Sequence, residues 1–243
     1  MLYIQKGAAP TEVTRQVIEI TKGDEWKNAD DNNTTLVRSF FDRLDKQLIR
    51  ESLIKEQHGL CAYCMKRIEA DDKMNIEHFS PVKEDKENAL SYKNMLGCCS
   101  GGGNEQEKHK ILCCDAAKKD RKINIDPRNR EMMEKISYRK DGRICVLADE
   151  RLQYDIDHVL QLNGILDDKG NVKRDTSTQI VMGRRLAYKE YETFMNALEK
   201  KFGSNESRIK LCIKKRIEEI ENTDTYPEYA GVMLYFMKRR VRR

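Results

Sequence analysis

Six of the chain's eight cysteines, Cys61, Cys64, Cys98, Cys99, Cys113 and Cys114, fall between residues 61 and 114 of a 243-residue sequence. Thiols at that density are bridged, reactive or metal-bound, and each choice ties distant stretches of chain to one point. The segment "MLYIQKGAAPTEV" lacks the basic start and apolar middle of a secretory leader. No run of about 18 apolar residues follows, so a cytosolic chain without a membrane span is expected. Intracellular thiols are kept reduced, which leaves metal binding or thiol chemistry. Cys61-Ala-Tyr-Cys64 has the spacing of a zinc knuckle, in which a tight turn points two thiolates at one tetrahedral ion; a redox pair shares that spacing. Further ligands are available in the doublets Cys98/Cys99 and Cys113/Cys114. One thiol from each would close a four-thiolate site with no position open to water, which is a structural role. Cys145 and Cys212 lie among apolar residues and read as ordinary core side chains.

The remainder is highly charged, with 36% Asp, Glu, Lys and Arg and a mean hydropathy of -0.79, yet apolar residues recur at helical spacing. Leu36, Phe40, Leu44 and Leu48 form a stripe between the N-cap candidate Asn33 and Gly59, which predicts one long helix delivering the chain to Cys61. Residues 67 to 79 read as a hairpin around "EADDK", and "ALSYKNMLGCC" as a turn or short helix. "SGGGNEQEKHK" reads as a polar loop. Asp141-Gly142 inside "ISYRKDGRICVLA" is a strong hairpin signal. Three helical stripes follow: Ile180, Ala187, Tyr191, Phe194 and Leu198; Ile209, Ile213, Ile217 and Ile220; Tyr229, Met233 and Phe236.

The net charge of +5 equals the charge of Lys238, Arg239, Arg240, Arg242 and Arg243 alone, so the rest of the chain is balanced. That tail could meet nucleic acid or an acidic partner, or serve as a solubilising helix end. A second excess lies in residues 108 to 122, with six Lys or Arg against two Asp beside the cysteines. Phosphate contacts there make physical sense.

Glu77 and His78 stand thirteen residues after Cys64. A carboxylate suits a hard ion such as Mg2+ or Mn2+, and an imidazole is the natural general base near neutrality. Adjacent strand residues point to opposite faces, so the two share a site only where the strand is distorted or ends, and Pro81 favours an ending.

The order "CAYC", "IEHFSP", "YKNMLGCC", "CCDAAKKD" resembles the HNH endonucleases, whose ββα-metal site follows CxxC, [DE]-H-[IF]-x-P, N-L-x-x-x-C and C-[HND]-x-x-K. More narrowly, with "INIDP" and "LQLNG", it looks like the PtuB-like nuclease family of the Septu antiphage system and its retron-associated relatives. The motifs cover residues 61 to 120, and a weaker similarity reaches about residue 190. The resemblance implies His78 as the base that activates water, with Glu77 and Asp115 as ligands of a catalytic Mg2+ or Mn2+. It implies Asn94 as the residue holding loop and base in place, and Lys118 as a phosphate contact. It also selects Cys61, Cys64, Cys99 and Cys114 as ligands of a structural Zn2+. Asp115 stands where the family's last histidine would be, and His109 is an alternative source of that histidine. His58 and His158 lie on expected helices and read as ordinary polar side chains.

The expected fold is α+β and mostly helical. An N-terminal helical region (1–57) precedes a zinc-stabilised ββα-metal module (58–127), and a hairpin with C-terminal helices and the basic tail (128–243) follows. The expected function is phosphodiester hydrolysis of DNA or RNA in antiphage defence. The implied partners are a PtuA-type ATPase, since no Walker A pattern occurs here, and a retron reverse transcriptase with its DNA. From another class, the chain could be a catalytically inactive, zinc-stabilised module that binds nucleic acid or protein.

Overall fold

The computed structural model describes residues 1–30, 32–103 and 108–242. Helices α1 (Thr11–Lys22) and α2 (Asp24–Lys27) lead to α3 (Thr34–Asp42), which starts where Asn33 accepts a hydrogen bond from the Leu36 amide. The single long helix expected from residue 33 is corrected to two. The Asp45 carboxylate takes the Leu48 amide at 3.0 Å, and the Asp45 amide donates to Gln16 Oε1 at 2.9 Å. A side chain that satisfies a free helical amide starts a new helix, here α4 (Lys46–Glu56), in a new direction.

The hairpin expected within residues 67 to 79 is also corrected. Strand β1 (Asn75–His78) pairs antiparallel with β2 (Met95–Cys98), in register Asn75 to Cys98 and His78 to Met95. Arg67 forms only an isolated bridge with Leu60. The excursion between the strands holds α5 (Glu87–Leu90) and two 3-10 turns. Helix α6 (Cys114–Lys118) lies beyond residues 104–107 of the expected polar loop, which fall outside the described residues. Gln57, buried at the end of α4, ties the cysteine turn to β2. Its Nε2 donates to the carbonyls of Leu60 and Gly97, both at 2.8 Å, and its Oε1 accepts from the Gly97 amide at 2.7 Å. Gly97 lets this approach be close: a Cβ there would lie 2.5 Å from Met74 Cε and 3.2 Å from Gln57 Nε2, so those side chains would have to shift.

After α7 (Arg130–Glu134), strands β3 (Ile136–Tyr138) and β4 (Ile144–Val146) form the hairpin expected around Asp141-Gly142. Helix α8 (Glu150–Tyr154) runs into a π-helical turn, and the short pair β5 (Ile165–Leu166) and β6 (Val172–Arg174) follows. The three expected stripes are α9 (Ile180–Phe202), α10 (Glu206–Glu221) and α11 (Ala230–Arg242), packed on one another. The architecture is α+β, about half helical, with small antiparallel sheets.

Part of the basic tail belongs to this bundle: Lys238 pairs with Glu221 at 2.6 Å and Arg240 with Glu206 at 2.7 Å. One apolar cluster runs from Val13 and Ile49 through Tyr63 and Leu96 to Ile213 and Val232, so the three sequence regions share a core. No described helix is long and apolar enough to cross a membrane.

Candidate metal centre and carboxylate site

The cysteine turn is built by the backbone. The Cys61 amide donates to the Lys66 carbonyl at 2.8 Å, the Met65 amide donates to the Cys61 carbonyl at 3.0 Å, and Met65 takes a left-handed conformation. Four buried sulfurs, those of Cys61, Cys64, Cys99 and Cys114, lie within 4.8 Å of one another and can hold a metal ion such as zinc. The Cys61–Cys114 and Cys99–Cys114 separations are 3.8 Å and the Cys64–Cys99 separation is 3.7 Å. A tetrahedron with zinc–sulfur bonds of about 2.3 Å has edges of about 3.8 Å, so the donors fit that ion in type and spacing.

The doublets divide. Cys113 Sγ lies 3.4 Å from Thr178 Oγ1 and 3.7 Å from Cys114 Sγ but outside the set of four mutually close sulfurs, and Cys98 lies on the Asn75 face of the β1–β2 pair. The loop joining Cys99 to Cys113 closes at Gly101, whose carbonyl accepts from the Cys113 amide at 2.9 Å. Burial holds the Cys114 thiol well above its ordinary value; burial also opposes ionisation of Cys61, but hydrogen bonds from Cys114 and Cys64 bring that thiol well down. Loading such a cluster therefore releases protons. Cys145 and Cys212 are half-buried and lie outside the cluster.

Asn75 and Glu77, two apart on β1, share the face that meets α6. Asn75 Nδ2 donates to Asp115 Oδ2 at 2.9 Å, Tyr63 OH donates to Glu77 Oε1 at 3.2 Å, and Lys118 Nζ sits 2.6 Å from the same oxygen. Burial, then the hydrogen bond to Asp115, pushes Glu77 up to about 9 against the pull of Lys118, so at neutral pH Glu77 keeps its proton. Lys118 is fully buried, and its ammonium also donates to the His78 carbonyl at 3.2 Å. Expected as a phosphate contact, it faces inward here.

His78 ends β1, and its ring lies on the opposite face of the sheet from Glu77, with no hydrogen bond to Glu77 or Asp115 among the described residues. It packs edge-on against Phe41 of α3 at 4.7 Å and bonds the Ala89 carbonyl through Nε2 at 3.1 Å. A carbonyl only accepts, so Nε2 carries the hydrogen and Nδ1 keeps its lone pair. Burial holds the ring below its ordinary value, which keeps it neutral at pH 7. Asn94 clamps the chain after His78: Oδ1 accepts from the Ser80 amide at 2.8 Å, and Nδ2 donates to the carbonyls of Ser80 and Asn88 at 2.9 and 3.1 Å.

His109 is exposed and lies away from both clusters, offering only its carbonyl, to Arg174. His58 follows α4 and stacks on Tyr226 at 3.9 Å; His158 lies in the π-helical turn. Sequence reasoning missed Tyr63, Asn75, Phe41 and Arg38, whose charge acts on His78 from α3. The i, i+2 spacing to Glu77 could have found Asn75. Nothing local points to Phe41 or Arg38.

No protein-family model matches the chain, and no curated protein matches it significantly.

Proposed function

We propose that the chain is a metal-dependent nuclease of the HNH type that hydrolyses phosphodiester bonds, with β1, β2 and α6 as its ββα-metal module and the four-cysteine cluster as its structural zinc site. The observation that carries this reading is the Ala89 carbonyl on His78 Nε2, which leaves a neutral imidazole with a free Nδ1 at the end of the strand that also bears buried Glu77, whose partner is half-buried Asp115 of α6. His78 Nδ1 takes the proton from the attacking water, a contribution of about 10²–10⁴-fold for a placed base. Asn94 fixes the turn that carries both His78 and Ala89. Phe41 limits the ring's rotation, and the charge of Arg38, itself paired with Asp120 at 2.9 Å, adds to the groups that disfavour the protonated ring.

Glu77 and Asp115 offer the hard oxygen donors that Mg2+ or Mn2+ takes, and the Glu77 proton and Lys118 balance their charge until then. When bound, such an ion would supply charge stabilisation on the phosphate and leaving oxygen. The Septu-like and retron settings and the PtuA-type ATPase partner rest on the sequence resemblance.

A second reading, a zinc-stabilised binding module without catalysis, is favoured by two observations: Glu77 is already satisfied by Lys118, Tyr63 and Asp115, and the His78 ring lies on the other face of the regularly paired β1. The two separate in a cleavage assay on plasmid DNA, single-stranded DNA and total tRNA with Mg2+ or Mn2+, with and without the ATPase. A nuclease cleaves one of these, and His78→Ala stops it while keeping its zinc. Zinc-loaded wild-type protein that binds nucleic acid but cuts under no condition would overturn the nuclease reading.

A further inference from the structure

A cavity of about 790 Å³ opens between the first residues of the chain, the end of α4, α7, β3 and α11. Cavities of about 300–1,000 Å³ are the size that holds small ligands. Buried Leu60, Met65, Met133 and Leu234 give it an apolar part. Glu77, His78 and Asp115 do not line it, so it is separate from the proposed cleavage site.

Its mouth carries charge that the fold leaves uncompensated. Arg130 of α7 and Arg239 and Arg242 of α11 line the cavity and are exposed, and none of them has a carboxylate within 4.0 Å among the described residues. Arg239 and Arg242 are three residues apart and share one face of α11. Tyrosines hold two of the guanidiniums: Arg130 lies 4.2 Å over the Tyr3 ring, and Arg239 Nη1 donates to Tyr235 OH at 3.2 Å. Of the acids in the lining, Glu56 is paired with Lys6 and Glu221 with Lys238, which leaves Glu134. Three guanidiniums against one carboxylate leave two positive charges, and a phosphate monoester carries about −1.5 to −2 near neutral pH. The planar fork of a guanidinium matches phosphate oxygens in pairs.

The same cavity has an aromatic wall. Tyr3, Tyr226 and Tyr235 are half-buried and line it, and His58, also in the lining, stacks on Tyr226 at 3.9 Å. Rings presented in this way take up a nucleobase by stacking. A bare phosphate would use only the arginines, and an apolar molecule would leave them unmatched. A planar base joined to a phosphate satisfies both.

We propose that this cavity is a binding site for a mononucleotide, with the phosphate on Arg130, Arg239 and Arg242 and the base against the tyrosines. The basic C-terminal stretch then has two roles. Lys238 and Arg240 tie α11 to α10 through Glu221 and Glu206, whereas Arg239 and Arg242 receive phosphate. The proposal does not depend on the nuclease reading.

The test is calorimetric titration of the full chain with AMP, GMP, CMP and UMP, and with inorganic phosphate and a short oligothymidine for comparison. The variant is Arg239→Gln with Arg242→Gln. Its control is Lys214→Gln with Lys215→Gln, which removes the same charge from exposed positions of α10 outside the cavity. Thermal melting checks that each protein is folded, and Arg130→Gln replaces the arginine pair if that variant is not. At least one mononucleotide should bind saturably at one per chain, and the arginine variant should weaken it about tenfold or more. The control should stay within about twofold of wild type, because exposed charges far from a ligand are screened. Inorganic phosphate should bind about tenfold more weakly than the nucleotide, since it lacks the stacked base. The proposal is overturned if no mononucleotide saturates, if the lysine control weakens binding as much as the arginine variant, or if inorganic phosphate binds as tightly as the nucleotide. Oligothymidine binding without mononucleotide binding also overturns it and makes this face a nucleic-acid surface.

Discussion

Replacing Glu77 with Gln should change how stability depends on pH more than it changes stability itself. Glu77 is raised from 4.5 to about 9 in the folded protein by burial and by its hydrogen bond to Asp115. Between those values the folded state holds more protons than the unfolded chain. The stabilisation is therefore complete below 4.5 and is lost as pH rises toward 9. From pH 6 to pH 8 the difference is close to one proton. At about 1.4 kcal/mol per pH unit, the wild type should lose about 3 kcal/mol over that range relative to Glu77→Gln. Gln keeps the shape of the side chain, an oxygen for Lys118 and a donor for Asp115, so the variant should fold. The assay is urea unfolding at pH 6, 7 and 8 on zinc-loaded protein with no Mg2+ or Mn2+ added. Saturating Mn2+ should flatten the wild-type slope, because metal binds the deprotonated pair. Equal slopes for wild type and Glu77→Gln would refute the retained-proton account of the site.

Further outcomes follow from the same geometry. Cys64→Ala removes one of four thiolates and should lose zinc and several kcal/mol of stability, read by metal analysis and thermal melting; unchanged melting would rule out a structural metal. Gln57→Ala takes the partner from the Leu60 carbonyl and the Gly97 amide where β2 meets the cysteine turn, while the Gly97 carbonyl keeps the Ala62 amide, a loss of about 2 kcal/mol in chemical denaturation. Asn94→Ala frees the segment around Ser80 and Asn88 and should lower stability by about 2 kcal/mol, with a loss of cleavage larger than the loss of folded protein.

What was legible in the sequence was whatever depended on near neighbours. The Cys61-x-x-Cys64 turn, the Asp141-Gly142 hairpin and the three C-terminal helical stripes are set by residues a few positions apart, and the structure has them all. The break at Asp45 escaped because the apolar stripe continues across it, and only the carboxylate's preference for the Leu48 amide decides against one helix. The pairing of β1 with residues 95 to 98 escaped because a strand's partner is chosen by tertiary packing, here by Gln57 and the bare backbone of Gly97. The strand rule separating Glu77 from His78 holds in the fold, and each face finds partners the motif does not name. Glu77 meets Asn75, Tyr63 and Lys118, whereas His78 meets Phe41 and the Ala89 carbonyl.

The central claim is that His78 acts as a general base in phosphodiester hydrolysis, and chemical rescue tests it most directly. Single-turnover cleavage would be measured for zinc-loaded wild type and His78→Gly, with Mn2+ and with increasing free imidazole, on whichever nucleic acid the wild type cuts. The account predicts a loss of about 10²-fold or more in the variant, restored in part by imidazole in proportion to its neutral form. Cleavage by His78→Gly at the wild-type rate, or a wild type that cuts nothing while fully loaded with zinc and Mn2+, would contradict it.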